Sequence, residues 1–577
     1  MKENISEELT NNLVQITNLY QEILVKLASK KEIDVDPFNV TTIVLDAFGK
    51  LMANPQKLVA LQYDYFQNYM SLLENVQKRH NGDNILPLYN TIGKDNRFKD
   101  EAWDNNIYFD FLKQIYLMNS NWMQNLVHNI EDIDSKTAYK INFFTKQLID
   151  ALSPSNFAIS NPEVIREIFE TKGENLVKGL KKLSNDIERS KKLIEITTAN
   201  DNAFSVGENI ATTKGKIIYQ NDLVQLIKFD NTCEKTYERP LLIIPAWINK
   251  YYILDLSEKN SFVRWLLKQG FSVYIISWVN PDKTHADKDF EDYMQQGILD
   301  VVDFISKATG SNEINAIGYC LGGTLLASTL AYMASIGDNR IASATFLTTL
   351  IDFEQAGELQ LFTDEENISK IEKRMEEEGY CADIGQTFNM LKSKDMVWNF
   401  FVNNYLLGRD PNAFDLLYWT SDTTRLPAKM HSFYLRNMYQ KNLLAQDAGL
   451  KLKGEDIYIS KIKIPCYFLS TKDDHIAPWH STYNVLHKFS DKIFTLTASG
   501  HVAGVVNHPN SGKYCYWTNN KLPKNSEEWL DKAKENPGSW WEHWLKWSKK
   551  HSGALQKPKA LKIKAIESAP GSYVKMR

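Results

Sequence analysis

Residues 313–328 read EINAIGYCLGGTLLAS, and the order of residue types in that stretch decides the fold. Its first half is a short apolar run ending at Tyr319, and its second half, from Leu321, is rich in helix formers. Between them Gly318-Tyr319-Cys320-Leu321-Gly322 allows a sharp corner, because glycine tolerates backbone approaches that any side chain would block. Strand, corner and helix in that order form a nucleophile elbow, which presents the corner residue, here Cys320, at the carboxyl edge of a sheet. A group at that corner sits at a helix N-terminus, where the dipole favours a thiolate over a thiol.

The flanking sequence repeats the same alternation. LLIIPAWI (241–248), SVYIISW (272–278), ASATFLTTL (342–350), IPCYFLST (464–471) and KIFTLTAS (492–499) are short apolar runs separated by helical stretches. Such runs are the pattern of a parallel sheet buried on both faces. KGKIIYQ and DLVQLIKF, joined at Asn221 and Asp222, read as a hairpin that opens this region. The expectation is an α/β-hydrolase fold over residues 201–577. More than a hundred residues separate Leu350 from Ile464, and they are rich in aromatics (MVWNFFVNNYLLG, AFDLLYWTSD, MHSFYLRNMYQ). An insertion after a strand's carboxyl end falls over the active-site rim, so residues 351–445 are expected to form a mostly helical cap. Residues 1–200 read as a helical N-terminal domain. IYFDFLKQIYLMNSNWMQNLVHNI (107–130) repeats apolar residues at three- and four-residue intervals. Its aromatic stripes fit helix packing or a contact surface. The basic stretch 549–577 is expected to be solvated and loosely packed.

Composition narrows the class. The chain has 577 residues, a formal net charge of -4 and 43% hydrophobic residues, which suits a soluble protein of two or three structural units. That charge excludes the strongly basic footprint of a general nucleic-acid binder. Five cysteines, at 233, 320, 381, 466 and 515, show no CxxC spacing. They disfavour a disulfide framework and a structural zinc site, so no metal is expected, and they fit a reducing cytoplasm. The N-terminal stretch carries acids among its apolar residues, unlike a signal peptide. No window approaches the run of about 20 apolar residues that a membrane span needs.

A thiolate nucleophile needs a base, and the base an orienting acid. In this architecture they follow the nucleophile in the order acid, then base, each after a later strand. KDDHIAPW (472–479) supplies Asp473, Asp474 and His475, and GHVAGVVN (500–507) supplies His501. Among eleven histidines, only His501 follows the final apolar strand so closely, with His508 a rival in the same loop. Asp474 is the chosen acid. Asp473 and, after an earlier strand, Asp352 stay open at this point. Acyl transfer also needs donors for the developing oxyanion. The N–H of Leu321 is one, and the loop at Trp247 and Ile248 is expected to give the second. Cys233 and Cys466 read as structural, and Cys381 lies in the cap.

The residues resemble those of polyhydroxyalkanoate synthases, in particular the long class I type. The resemblance runs from about residue 90 onward. It rests on DALSPSNF (150–157), PAWINKYYILDL (245–256), SWVNPD (277–282), GYCLGG (318–323), LLYWTSDTTRLP (416–427), DDHIAPW (473–479), SGHVAGVVN (499–507) and GSWW (538–541). It implies polymerisation of (R)-3-hydroxyacyl-CoA, most simply 3-hydroxybutyryl-CoA, into polyester with release of coenzyme A. No separate cofactor is implied, since coenzyme A is part of the substrate and a product. Carried over by position, Cys320 is the nucleophile, His501 the base and Asp474 the acid, which also helps to activate the substrate hydroxyl. The resemblance further implies a homodimer, a polyester granule surface and granule-associated proteins as partners. Trp419 in the cap reads equally as structural or as support for a dimer. Two other classes remain open to the residues alone: a cysteine hydrolase of thioesters or lactones, and a non-catalytic granule scaffold that keeps the fold.

Overall fold

The computed structural model describes residues 2–30, 40–91, 95–190, 194–200, 202–382, 384–559 and 561–577. They fall into two compact units, Met1–Asn200 with Gln386–Asn412, and Asp201–Gly385 with Ala413–Arg577. In the second unit the apolar runs become a mixed sheet of eleven strands. These are β1 (Gly215–Gln220), β2 (Val224–Phe229), β3 (Leu241–Ile244), β4 (Val273–Trp278), β5 (Ile314–Tyr319), β6 (Ile341–Leu347), β7 (Cys466–Thr471), β8 (Lys492–Thr497), β9 (Cys515–Thr518), β10 (Lys534–Pro537) and β11 (Glu567–Ser568). Their order is β10-β9-β8-β7-β6-β5-β3-β4-β2-β1-β11.

The six strands from β8 to β4 run parallel, matching the six apolar runs. Antiparallel pairs extend both edges: β2 with β1 on one side, β9 with β10 on the other. Every residue of β3, β4, β5 and β7 is buried, as helix-covered parallel strands require. The helix Leu321–Ser335 is itself buried on nearly all sides, with Leu325, Leu326 and Ala327 fully enclosed. Parallel centre, antiparallel edges and a nucleophile corner after a central strand are the α/β-hydrolase fold.

The first unit is helical. Lys2–Ser29, Val40–Met52, Pro55–His80, Ile107–His128, Ser135–Ala151 and Glu174–Arg189 are its principal helices. Phe98, Trp103, Tyr116 and Ile149 form one of its cores. Beside that core, the Arg97 guanidinium reaches Asp95 (2.9 Å), Asp150 (3.0 Å) and the Tyr116 hydroxyl (3.0 Å). Pairing on several sides is what makes a half-buried cation affordable. Val59, Tyr63, Phe66 and Met70 leave an exposed apolar stripe along Pro55–His80.

Residues 386–412 differ from the expected cap: they pack with the N-terminal helices. Tyr405 donates to Asp186 (2.6 Å), and a Cβ at Gly179 would lie 1.9 Å from the Tyr405 carbonyl oxygen. Only a glycine on Glu174–Arg189 permits this approach.

The stretch 549–577 also differs from expectation. β11 adds to the β1 edge, with Ser568 opposite Lys216 and Glu567 opposite Ile217. Tyr573 donates its hydroxyl to the Asn221 carbonyl (2.7 Å) and its N–H to Gln225 Oε1 (3.1 Å), and Val574 is buried. The physical reason is the open edge of β1, whose backbone groups need partners. The basic side chains Lys557, Lys559, Lys562 and Lys564 still face outward. No helix among the described residues is long and apolar enough to cross a membrane.

Val574→Ala is expected to cost about 2 kcal/mol, from two lost methyl groups and the cavity they leave. Scanning calorimetry should show a lowered unfolding midpoint. Leu555→Ala, at an exposed position of the same stretch, should leave it unchanged.

Candidate active site

Cys320 holds φ 54° and ψ −121°, a conformation that non-glycine residues adopt at a cost of roughly 1–3 kcal/mol. The surroundings enforce it. The Cys320 N–H donates to the Leu347 carbonyl at the end of β6 (2.9 Å), while its own carbonyl accepts from Gly323 (2.9 Å) and Thr324 (3.2 Å). Three glycines make the corner possible. A Cβ at Gly318 would lie 2.4 Å from Gly323 Cα, one at Gly322 would lie 2.1 Å from the Ile244 oxygen of β3, and one at Gly323 would lie 2.0 Å from Thr349 Oγ1. Strand, helix and neighbouring strand therefore touch through backbone. The Cys320 thiol is left half-buried, at the N-terminus of Leu321–Ser335.

The loops after β7 and β8 bring the other groups to it. His501 Nδ1 pairs with Asp474 Oδ2 at 2.7 Å, and both residues are buried. Asp474 Oδ1 accepts from the N–H groups of Ile476 and Ala477 (both 2.9 Å), and Oδ2 from Thr471 Oγ1 (3.1 Å). Burial would raise the Asp474 carboxyl, but the His501 charge, their hydrogen bond and the two amides outweigh it and hold the carboxyl below its ordinary value. Burial works against a charge on His501 too. There the Asp474 carboxylate and the Cys320 sulfur win, and the imidazole is raised well above its ordinary value. The arrangement can take a proton from the thiol and return it to a leaving group.

The competing residues lie elsewhere. Asp473 is exposed. Asp352 accepts from Asn442 Nδ2 (2.8 Å) and from the Glu354 N–H (2.9 Å). His508 caps the turn Pro509–Ser511 and stacks edge-on against Trp541 (5.4 Å). Cys466 is buried in β7, Cys233 donates to the Leu267 carbonyl (3.4 Å), and Cys381 lies in a short strand pair with Leu426 and Pro427. Among the described residues, no group of three or more His, Cys, Asp or Glu side chains could hold a metal ion.

The loop after β3 is fixed through its carbonyl groups. Pro245 accepts from Trp278 Nε1 (2.9 Å), Trp247 from the Thr424 hydroxyl, Ile248 from the Thr424 N–H (3.1 Å) and Lys250 from Trp419 Nε1 (2.7 Å). Trp419 is thus a brace between cap and loop. The stretch 567–577 joins this brace: the Met576 carbonyl accepts from Lys250 Nζ (2.6 Å), and Arg577 donates to the Tyr418 hydroxyl (2.8 Å). Burial pulls the Lys250 ammonium down to about 8.

Two sets of residues were missed by sequence reasoning. Trp540 and Trp541 donate their indole N–H groups to Gly504 and Val505 (2.9–3.1 Å), pinning the loop that carries His501. The doubled tryptophan of GSWW was the available signal. Tyr434 and Tyr439 of the cap lie close enough to Cys320 for its charge to act on both phenols, after burial, which is the larger effect. Their five-residue spacing, wrong for one face of an α-helix, hid them.

Known proteins resemble this chain along most of its length. A family model described as Poly-beta-hydroxybutyrate polymerase (PhaC) N-terminus matches residues 94–266, and one described as alpha/beta hydrolase fold matches residues 239–507. The chain is similar to the poly(3-hydroxyalkanoate) polymerase subunit PhaC of Rhizobium meliloti (strain 1021), with 44% identity covering 91% of this chain and 87% of that one. The poly(3-hydroxyalkanoate) polymerase of Methylorubrum extorquens is 43% identical over 91% of this chain and 88% of its own. The poly(3-hydroxyalkanoate) polymerase subunit PhaC of Cupriavidus necator is 36% identical over 92% and 91%.

Because the Asp474 carboxyl is held below its ordinary value, its pairing stabilises the fold above pH about 4 and is lost as pH falls through the folded-state value. Urea titrations of wild type and Asp474→Asn should therefore differ most near neutrality and converge in acid. A difference that does not shrink on acidification would contradict the pairing.

Proposed function

The chain belongs to the poly(3-hydroxyalkanoate) polymerase family, and on that premise we propose that it joins (R)-3-hydroxyacyl units from their coenzyme A thioesters into a polyester, with Cys320 as the covalent nucleophile. The observation that carries the reading is the Cys320–His501–Asp474 set on a strained elbow.

In the first step His501 takes the thiol proton and the Cys320 sulfur attacks the thioester carbonyl. The N–H of Leu321 and those of Trp247 and Ile248 serve as donors to the oxyanion, a contribution that is among the largest in acyl transfer. Collapse expels coenzyme A, which leaves with the proton that His501 held. Asp474 keeps the imidazole in the right tautomer and balances its positive charge. In the second step the 3-hydroxyl of another unit gives its proton to His501 and attacks the acyl carbon. The Cys320 sulfur then leaves and takes that proton back.

Sulfur suits this sequence of events. Attack on acyl-CoA exchanges one thioester for another of similar energy, so the acyl group stays activated until a hydroxyl accepts it. A serine would discard that energy at the first step. Water must be kept from the intermediate, and the aromatic roof of Trp247, Tyr434, Tyr439 and Phe353 is suited to exclude it. The 3-hydroxybutyryl unit is the proposed substrate. The apolar stripe of Val59, Tyr63, Phe66 and Met70 is a surface suited to the growing polyester.

Purified protein given (R)-3-hydroxybutyryl-CoA should release coenzyme A and form polymer. Free monomer in place of polymer would sink the reading in favour of a hydrolase. Cys320→Ala should abolish both products, and Cys320→Ser should be severely impaired. Asp474→Asn should lose roughly 10³–10⁴-fold in turnover by analogy with other triads, while Asp473→Asn stays near wild type.

A further inference from the structure

The loop after β3 is held at both ends. It opens against the elbow, since a Cβ at Gly322 would lie 2.6 Å from the Pro245 carbonyl oxygen. It closes at Lys250, which is 3% exposed. Lys250 Nζ donates to the Met576 carbonyl (2.6 Å), and the same carbonyl accepts from Asn280 Nδ2 (3.3 Å). Asn280, equally buried, accepts at Oδ1 from the Arg425 N–H of the cap (2.9 Å). Arg425 Nε in turn donates to the Pro281 carbonyl (2.6 Å). One backbone carbonyl of the stretch 567–577 thus collects the loop after β3, the loop after β4 and, through Asn280, the cap.

Shape alone does not call for a charge at this point. An apolar side chain of similar length would fill the space without the cost of desolvating an ammonium. What the ammonium adds is a charged donor, whose hydrogen bond is roughly twice as strong as a neutral one. Burial is the largest influence on it and pulls it down to about 8. Asp422 of the cap favours the charge, while Arg425 and Arg577 oppose it. Asp422 is itself fixed by the Tyr252 hydroxyl, which donates to its Oδ2 (2.9 Å), and Arg577 by its bond to the Tyr418 hydroxyl (2.8 Å). Between Pro245 and Lys250 lie Trp247 and Ile248, whose amides the proposed reaction uses for the oxyanion.

We propose that Lys250 is a positioning residue for acyl transfer, whose ammonium, seated on the Met576 carbonyl, holds the loop 245–250 where its amides meet the oxyanion. The proposal rests on Cys320 being the nucleophile of a polymerase. Lys250 acts through the loop and takes no part in proton transfer. Acylation and extension both pass through an oxyanion, so loss of the ammonium slows both steps by the same factor. Substrate affinity stays in place, as when an interaction made only in the transition state is removed. The ammonium is present below the Lys250 value and is lost as pH rises through about 8, so the hold on the loop weakens on the alkaline side.

Rapid-quench kinetics with (R)-3-hydroxybutyryl-CoA read acylation as the first-turnover burst of coenzyme A and extension as steady-state release with polymer. Lys250→Met fills nearly the same space and removes the charge. It should lower both rates together, roughly 10- to 100-fold, the scale of a small misplacement, with KM within about twofold. The ratio of wild-type to Lys250→Met turnover should be largest below about pH 7 and shrink above about pH 9, either side of the Lys250 value. A chain cut after Lys575 loses the acceptor and should show the same loss with the same pH dependence. It carries the test if Lys250→Met does not fold, and joining the two changes should add little to either. Unchanged rates, a ratio flat with pH, a fall in one step only or fully additive losses would overturn the proposal. Wild-type release of coenzyme A without polymer would instead defeat the polymerase reading.

Discussion

A backbone that turns at Cys320 with φ 54° fixes the position of nearly everything around it. No cysteine chooses that conformation, so it must be imposed by contacts that would be lost if the corner relaxed. They come from backbone meeting backbone: Gly318 on Gly323, and Gly322 on the carbonyl end of β3. The price is a site that tolerates no side chain at three positions of the six-residue stretch 318–323. The return is a sulfur whose location is set by the most buried part of the sheet.

From that fixed point the site is completed by loops, and each loop is held by a residue from far along the chain. The loop after β3 is held by Thr424 and Trp419 of the cap. The His501 loop is held by the indoles of Trp540 and Trp541. The loop after β6 is held by Asn442. A loop is free to carry function only when a rigid scaffold positions it. Here side-chain-to-backbone hydrogen bonds, many of them from buried tryptophans, extend that scaffold outward from the sheet.

The central strands were legible because burial on both faces leaves an apolar run with little else to explain it. The elbow was legible because its glycines sit where only glycine fits. The acid was not settled by the same means. Asp473 and Asp474 are neighbours, so the two side chains of the loop point in different directions, and which one meets His501 depends on the amides of Ile476 and Ala477. Asp352 occupies a plausible place for an acid and is used to hold Asn442. Residues 549–577 read as a solvated tail because their lysines dominate the composition. Yet LKIKA (561–565) alternates half-buried and exposed positions, a period of two that basic residues on the open face disguised. Residues 386–412 carry an apolar helical face, which states that something must cover it but not which unit does. The tyrosine pair was hidden by the π-turn Leu435–Gln440, a change of helical period that no residue-by-residue preference announces.

The grouping of Gln386–Asn412 with the first two hundred residues has a consequence for synthesis. Domains emerging from the ribosome fold as units, N-terminal first, but this helical unit is not contiguous in the chain. The partner of Gly179 and Asp186, Tyr405, is translated only after β1 to β6 and the elbow have been made. The N-terminal helices must wait, with that face open, while half of the catalytic sheet emerges. Completion of the first unit is thereby tied to the progress of the second, and their order of birth is not their order of closure.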